Sequence, residues 1–258
     1  MARVAARARG LGRHIHWLES TGSTNDVAAR LAESGAGEGD MVVAEMQTAG
    51  RGRHGRVWFS PPGAGLYVSL IMRPPGRASA EENPAGLLTL AAGVALAAAV
   101  RGVTGLPAQI KWPNDIVVGS RKLAGILAEA AVHGAALQFI VLGFGVNLRP
   151  AAYPPELSAR ATSIEAETGR PVDLALMLAE ITAALGDRYA DLLAGRFDAI
   201  LGAWRQMAAR VPGARVEWDS PRGVVRGVAE DIDRHGALLV RVGATLERVI
   251  AGEVRWVG

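Results

Sequence analysis

"KWPNDIVVGSRKLAGILAEAAVHGAALQFIVLGFGVNL", residues 111–148, is the stretch on which the reading of the fold turns. Its β-rich runs are interrupted at "GSR" (119–121) and "HGA" (133–135), short connections of turn-forming residues, and the pattern predicts a meander of antiparallel hairpins. Pro113-Asn114-Asp115 forces a turn at the end of the preceding strand, "AQIKW". Lys111 before that turn and Lys122 after the next strand can therefore return to one face of a hairpin.

Working outward, strands and helices alternate. "STNDVAARLAES" (23–34) opens with the cap-competent Ser23 and Thr24, carries Asp26 in its first turn and runs out at "GAGEG", which predicts a helix. "DMVVAEMQ" and "GLYVSLIMR" predict strands, and 84–103 predicts a long helix. The apolar run "LLTLAAGVALAAAV" (87–100) falls short of the roughly 20 residues that span a bilayer and reads as a buried helix. "PVDLALMLAEITAALGDRYADLLAG" and "FDAILGAWRQMAAR" have helical periodicity. From "VPGARVEWDS" onward, short strands separated by "SPRG", "DRHG" and "VGA" predict a small barrel, with a boundary near Val211-Pro212-Gly213. The expected domains are 1–211 and 212–258.

Composition narrows the chemistry. The chain has 258 residues, a formal charge of +3 and no cysteine, so disulfide scaffolds and cysteine-ligated metals are excluded. Its 28 basic residues include only two lysines, Lys111 and Lys122, both inside the opening stretch. Arginine and lysine are not interchangeable, so lysines that persist against such a bias mark positions where a compact ammonium is needed; lysines solvated on hairpin edges are the competing reading. The opening "MARVAARARGLGR", with Arg3, Arg7, Arg9 and Arg13, has no apolar region behind it and reads as a frayed basic arm rather than a secretory signal. No membrane association is expected.

"QTAGRGRHGRVWFS" (47–60) alternates Gly50, Gly52 and Gly55 with Arg51, Arg53 and Arg56. Glycines let successive backbone N–H groups turn inward as an anion nest while guanidinium groups close from outside, which suits a phosphate. A basic turn and an RNA-contacting segment are the other readings of the same residues. No G-x-x-x-x-G-K-[ST] loop occurs, and "GFGVNL" (143–148) lacks the third glycine of a dinucleotide fingerprint. Two lysines facing this loop are costly to desolvate without an anion between them. Gly125 lets a ligand approach the backbone closely. His14 and His16 form an H-x-H pair without further metal-type ligands nearby in sequence.

Taken together, "STND" (23–26), "QTAGRGRHGRVW" (47–58), "KWPNDI" (111–116), "KLAGIL" (122–127), "GFGVN" (143–147) and the closing "GEVRWVG" resemble biotin protein ligase, also called biotin–[acetyl-CoA-carboxylase] ligase. The resemblance spans nearly the whole chain. It implies an α+β fold: a mixed β-sheet with flanking helices, similar to class II aminoacyl-tRNA synthetases, followed by a small SH3-like β-barrel. It also implies a two-step reaction in which biotin and ATP give biotinyl-5′-AMP and pyrophosphate, after which the acyl group moves to a lysine of a biotin carboxyl carrier domain. A carboxylate attacking an α-phosphate needs fixed cations to offset like charge, and this chain has arginines and lysines to supply them. The chain starts at the catalytic domain without the helix-turn-helix of repressor-type members, so no DNA binding is expected. A cytoplasmic protein, monomeric or homodimeric, is expected.

Carried over residue by residue, the resemblance assigns biotin binding to Ser23, Thr24, Asn25, Gln47, Arg51, Gly52, Arg53, Lys122 and Gly125. Ser23 to Asn25 are also compatible with a plain N-cap. Lys122, Arg53 and Lys111 are the candidate catalytic residues, with Lys122 at the biotin carboxylate and the bridging phosphate oxygen. ATP is assigned to Arg53, Arg56, Lys111, Asn114, Asp115 and Asn147, and Mg²⁺ accompanies it. Asp115 either coordinates that Mg²⁺ or simply closes the turn. His54 stands where the family commonly has arginine and receives no role. Two other classes remain: a lipoyl- or octanoyl-ligase-type acyltransferase of the same fold, disfavoured by the complete arginine-glycine loop, and a non-catalytic RNA-binding module, disfavoured by the scarcity of interleaved aromatics.

The lysine reading has a direct test. In Lys122→Arg the charge is kept but a planar fork replaces a point charge in a narrow site. Pyrophosphate release dependent on biotin is expected to fall by roughly 10²-fold or more, the scale of one preorganised electrostatic contact, with thermal unfolding unchanged. Wild-type turnover in this variant would place Lys122 on the surface.

Overall fold

The structure, a computed structural model, describes residues 7–75, 84–134, 136–151, 153–220, 223–250 and 254–257. Arg3 of the opening arm, and Gly252, Glu253 and Gly258 of the closing motif, lie outside these. Seven strands make the main sheet: β1 (Ile15–Leu18), β2 (Met41–Ala44), β3 (Gly65–Met72), β4 (Gln109–Lys111), β5 (Asp115–Val118), β6 (Arg121–His133) and β7 (Ala136–Asn147). Their order is β1-β2-β3-β7-β6-β5-β4. Only β1 and β2 run parallel; every other neighbouring pair is antiparallel, so the sheet is mixed. The predicted meander is β5, β6 and β7. Its inner strand β7 is buried for nearly its whole length, as the uninterrupted apolar run "FIVLGFGV" requires.

The helix Thr24–Glu33 lies on one face of this sheet. Its buried side is small, Ala28 and Ala32, which lets it settle closely on Val42, Ile71 and Val141. The other face is covered by Pro84–Thr104, with Leu174–Leu193 and Phe197–Met207 packed against it in turn. The helix Pro84–Thr104 extends beyond the apolar run that predicts it. At 21 residues it is long and apolar enough to cross a bilayer, but Leu88, Leu96 and Val100 are fully buried between the sheet and the neighbouring helices. Each such side chain contributes roughly 1.5–3 kcal/mol by leaving water.

The described part of the N-terminal arm is not frayed. Arg7 donates from Nε to Asp187 at 2.9 Å and approaches Glu180 at 3.5 Å. Gly186 lies so close that an added Cβ there would meet the Arg7 carbonyl at 2.3 Å, and Leu11 is buried. Acidic residues on the helix Leu174–Leu193 thus dock an arm whose charge alone suggests solvation.

Beyond residue 212 come β8 (Arg215–Ser220), β9 (Gly223–Ile232), β10 (Leu238–Val242), β11 (Thr245–Val249) and β12 (Arg255–Trp256). They form one antiparallel sheet in the order β11-β10-β9-β8-β12. Among the described residues β11 and β12 are not paired, and the five-stranded antiparallel unit fits the SH3-like fold that the sequence predicts. The unit is fastened to the main sheet at the KWPND turn. Trp112 Nε1 donates to the Gly236 carbonyl at 3.0 Å, and Arg205 donates to Asp231 at 2.7 Å and to the Ile232 carbonyl at 3.1 Å. One continuous apolar core includes Leu88, Ile110, Trp204, Trp218 and Leu238, and so runs through both units.

Gly236 has φ +81°, and a Cβ there would sit 2.6 Å from Leu90 Cδ1. Gly236→Ala is expected to lower stability by about 1–3 kcal/mol, combining left-handed strain with crowding. Gly243→Ala, at φ +58° in open space, bears only the strain. Chemical unfolding of the two variants side by side checks this: equal losses would mean that the contact between Gly236 and the long helix does not constrain the turn.

Candidate active site

The site lies where the start of the helix Thr24–Glu33, the arginine-glycine loop and the glycine-bearing ends of β6 and β7 meet. Ser23 occupies the N-cap position but makes no side-chain cap bond. Instead Gln47 Oε1 accepts from the Thr24 N–H at 2.8 Å and from Thr24 Oγ1 at 3.1 Å, while Gln47 Nε2 donates to Ser60 Oγ at 2.9 Å. Ser23, Thr24 and Asn25 are all buried. Ser69 Oγ lies 2.8 Å from Thr24 Oγ1 and 2.6 Å from Asn25 Oδ1, and Asn25 Nδ2 donates to Glu129 Oε2 at 2.6 Å. Gly143 is obligatory beneath this group, because a Cβ there would meet Asn25 Oδ1 at 2.1 Å. The result is a preorganised cradle of amides, hydroxyls and one carboxylate, suited to a small, neutral, hydrogen-bonding ligand.

The loop is a closed hairpin rather than an open nest. Gln47 pairs with Ser60 and Arg51 with Val57; the Gly52 N–H donates to the Arg56 carbonyl at 2.7 Å, and the Trp58 N–H to that of Gly50 at 2.9 Å. Gly50 must be glycine, since a Cβ would stand 2.4 Å from the Trp58 carbonyl. Arg53 to Gly55 form a single tight turn in which His54 adopts φ 57°. The alternation separates the arginines. Arg51 turns outward and bridges Asp26 and Glu129, each at 2.8 Å, so its charge is neutralised beside the cradle. Arg53 turns inward toward Asp115; burial pushes its proton affinity down and the carboxylate opposes that.

Gly125 does not leave open space for a ligand. A Cβ there would lie 3.0 Å from the Trp58 ring and 3.1 Å from Lys122 Cε, and one on Gly145 would strike Trp58 Nε1 at 2.4 Å. The two glycines, cross-strand partners in β6 and β7, are a floor for the Trp58 indole. Lys122 Nζ sits 5.2 Å from the centre of that ring.

A register shift in β5 between Ile116 and Val117 organises the lysines. Lys111 pairs across the hairpin with Asp115, Asp115 with Gly125, and Val117 with Lys122. Lys122 Nζ consequently reaches Asp115 Oδ1 at 2.6 Å, an ion pair without hydrogen-bond alignment. Lys111 Nζ lies 5.7 Å from the centre of the Trp256 ring. Burial lowers the proton affinity of Lys111; Asp115 opposes this, and Arg160, Lys122 and Arg210 lower it further. The anion expected between the two lysines is thus partly supplied by the protein as Asp115. Asp115 lies among three cations, Arg53, Lys111 and Lys122, and Arg160 and Arg210 add positive potential at Lys111.

Two of the predicted nucleotide residues brace the site. Asn114 Nδ2 donates to the Ile126 carbonyl at 2.7 Å, clamping the KWPND turn onto β6. Asn147 Nδ2, buried, donates to the Thr162 carbonyl at 2.9 Å and holds the segment after β7. Gly52 lies in the tight turn and Arg56 at its exposed exit. His14 Nδ1 pairs with Asp40 at 2.9 Å, and among the described residues no cluster of three or more metal-type ligands occurs.

Sequence reasoning missed Ser69, Glu129, Arg160, Arg210 and Trp256. Glu129 was accessible: it follows Gly125 by four residues on the same face of β6. Ser69, a polar residue set between Val68 and Leu70 in a buried strand, was a weaker signal. Nothing local marks Arg160 or Arg210.

A profile described as the biotin/lipoate A/B protein ligase family matches residues 17–147, and one described as the biotin protein ligase C-terminal domain matches residues 213–255. The biotin–[acetyl-CoA-carboxylase] ligase of Mycobacterium tuberculosis is 36% identical over 257 residues, covering 94% of this chain and 88% of its own. That of Paracoccus denitrificans is 37% identical over 242 residues, covering 92% and 98%. The Aquifex aeolicus biotin protein ligase in complex with biotin and ATP superposes with a TM-score of 0.79 at 25% identity, covering 95% of this chain and 98% of its own.

With only two lysines in the chain, labelled-lysine NMR resolves the cluster directly. Lys111 is expected to titrate below the ordinary lysine range, because burial and neighbouring cations disfavour its charged form. A bound polyphosphate favours the charged form, so its titration midpoint is expected to rise when nucleotide is added. An ordinary midpoint that ignores nucleotide would contradict this cluster.

Proposed function

The chain belongs to the biotin/lipoate A/B protein ligase family, and from that premise we infer that it is an ATP-dependent biotin protein ligase acting on biotin carboxyl carrier proteins of carboxylases. The observation that carries the reading is the juxtaposition of a neutral hydrogen-bonding cradle with a cation cluster holding one carboxylate. The cradle suits a ureido ring and the cluster suits a triphosphate.

In this reading the biotin head is held by Ser23, Thr24, Asn25 and Gln47, with Gly52 and Arg53 closing over it. Arg51 acts on biotin through the cradle, fixing Glu129 and the first helical turn. Lys122 brings the biotin carboxylate against the α-phosphate, and Lys111, Arg53, Arg56, Asn114 and Asn147 fix the nucleotide. The carboxylate oxygen forms a bond to the α-phosphorus; the bond from that phosphorus to its β-bridging oxygen breaks, and pyrophosphate leaves with the electron pair. The unprotonated amine of the carrier lysine then attacks the acyl carbon of the mixed anhydride, releasing AMP and a proton. No protein nucleophile is needed: preorganised cations offset the charge that gathers at phosphorus. Trp58 excludes water from the anhydride.

Mg²⁺ fits this site as a partner of the nucleotide phosphates, with Asp115 the carboxylate placed to meet it, as such ions are commonly held by one or two carboxylates plus phosphate oxygens. It supplies charge neutralisation at the phosphates. The catalytic unit is taken as 1–211 and the C-terminal unit as 212–258, and the site of action as the cytoplasm, where carrier and ATP occur.

The experiment is mass spectrometry of a carrier domain incubated with this protein, biotin and MgATP. A biotinyl mass gain on one carrier lysine is expected. Loss of the gain in excess EDTA, and its absence when lipoate replaces biotin, complete the result. Lipoyl transfer without biotinyl transfer would overturn the reading in favour of the sister activity.

A further inference from the structure

Three strands meet beneath the cradle. Ser69 on β3 stands opposite Gly143 on β7, Gly143 stands opposite Leu127 on β6, and Glu129 follows two positions on, on the same face of the sheet. Gly143 has no side chain, so the Asn25 amide lies over it and spans from Ser69 to Glu129. Neither Ser69, which is fully buried, nor Glu129 is among the residues assigned to the biotin head. Both nevertheless touch Asn25, and Ser69 touches Thr24 as well.

Each proton in this group has one place to go. Glu129, paired with the Arg51 guanidinium at 2.8 Å, is a carboxylate and only accepts, so Asn25 turns Nδ2 toward it, at 2.6 Å, and Oδ1 away. Asn25 Oδ1 also only accepts, so its 2.6 Å contact with Ser69 Oγ carries the Ser69 proton. A hydroxyl has one proton. Ser69 has none left for Thr24 Oγ1 at 2.8 Å, and the Thr24 hydroxyl therefore donates to Ser69. The 3.1 Å contact of Thr24 Oγ1 with Gln47 Oε1 is the longer arm of that shared proton, and Gln47 Oε1 is supplied by the Thr24 N–H at 2.8 Å. Gln47 Nε2 donates to Ser60 Oγ at 2.9 Å, and Ser60 passes its own proton to the Trp58 carbonyl at 3.0 Å. The order runs without conflict from the carboxylate to Thr24 and leaves Thr24 Oγ1 with lone pairs only.

We propose that Ser69 and Glu129 are positioning residues that set the proton order of the cradle. Through them Thr24 Oγ1 is held as an acceptor, so the site selects a ring that brings an N–H donor, as the ureido ring does. A ring without one, such as the dithiolane of lipoate, leaves that buried oxygen unpaired. A site built to hydrogen-bond one ligand group rejects the analogue lacking it, because its own polar groups then lose their partner. The proposal rests on the biotin reading above and deepens it by naming what fixes the choice between the two ligands in the family's description.

The test is calorimetric titration with biotin, and separately with lipoate, of the full-length protein and of Ser69→Ala, Glu129→Ala, Glu129→Gln, Thr24→Val and the double variant Ser69→Ala/Thr24→Val. Ser69→Ala and Glu129→Ala are each expected to weaken biotin binding about tenfold, the scale of one directed hydrogen bond. Glu129→Gln is expected to recover most of that loss, because one oxygen, Oε2, accepts from both Asn25 and Arg51 and an amide oxygen can stand in its place. In the Thr24→Val background Ser69→Ala is expected to cost about threefold or less, since no hydroxyl remains to orient. An equal cost of Ser69→Ala in both backgrounds overturns the proposal, as it would mean that Ser69 supports the fold and not the Thr24 hydroxyl. So does a Glu129→Gln that binds as weakly as Glu129→Ala, which would make the charge held by Arg51 the active feature. Wild-type biotin affinity in Ser69→Ala and Glu129→Ala overturns it as well. The NMR signals of Lys111 and Lys122 are expected at their wild-type positions in every variant; signals that move with the loss of affinity would assign that loss to the fold. A wild-type protein that binds lipoate and not biotin overturns the biotin reading and the proposal with it, whereas the other outcomes bear on the proposal alone.

Discussion

The structure is organised around a half-buried carboxylate, Asp115, among cations. Asp115 stands at the turn between two strands, and the register shift at Ile116 brings Lys122 to 2.6 Å of it while Lys111 lies across the hairpin. Two unit charges about 4 Å apart repel by roughly 4 kcal/mol at an effective dielectric constant near 20. Asp115 offsets such repulsion among its neighbours Arg53, Lys111 and Lys122. Burial foremost, and after it the nearby Arg160, Lys122 and Arg210, depress the proton affinity of Lys111 against the pull of Asp115, and in the proposed reaction a polyphosphate offsets that cost.

Everything around this constraint places an uncharged neighbour beside it. Gly125 and Gly145 let the Trp58 indole lie flat on the sheet, which shields Lys122 from water on one side. On the other side of the cluster, Trp256 does the same for Lys111. The acidic groups that could compete for the lysines are engaged elsewhere: Glu129 and Asp26 are bound by Arg51, and Glu167 by Arg121 and Thr162. Arg51 thus separates a neutral cradle from a charged cluster only a few residues away, and that partition lets one site accept a ureido ring at one end and a triphosphate at the other.

Much of this was legible in the sequence, and for physical reasons. The meander followed from turn residues at fixed spacing, and the two lysines stood out against a background of arginine. The glycines of the loop and of "GFGVN" announced close approach, although what approaches Gly125 and Gly145 is the protein's own Trp58. What could not be read depends on register and on contacts distant in the chain. The shift at Ile116, which pairs Lys122 with Asp115, leaves no mark in composition. Arg210 becomes part of the site only because residues 208–209 pair with β4, some hundred positions earlier in the chain. The N-terminal arm shows the same limit in reverse: its arginines suggested a solvated tail because the acids that dock it, Glu180 and Asp187, lie on a helix far along the sequence.

The most direct measurement is a crystal structure of the protein with a non-hydrolysable biotinyl-adenylate analogue. The account predicts the bicyclic head against Thr24, Asn25 and Gln47, the phosphoryl oxygens within hydrogen-bond distance of Lys122 and Lys111, and Asp115 retained between the two ammonium groups. An analogue bound outside the arginine-glycine hairpin, with both lysines still engaged only by Asp115 and the Trp58 and Trp256 rings, would contradict it.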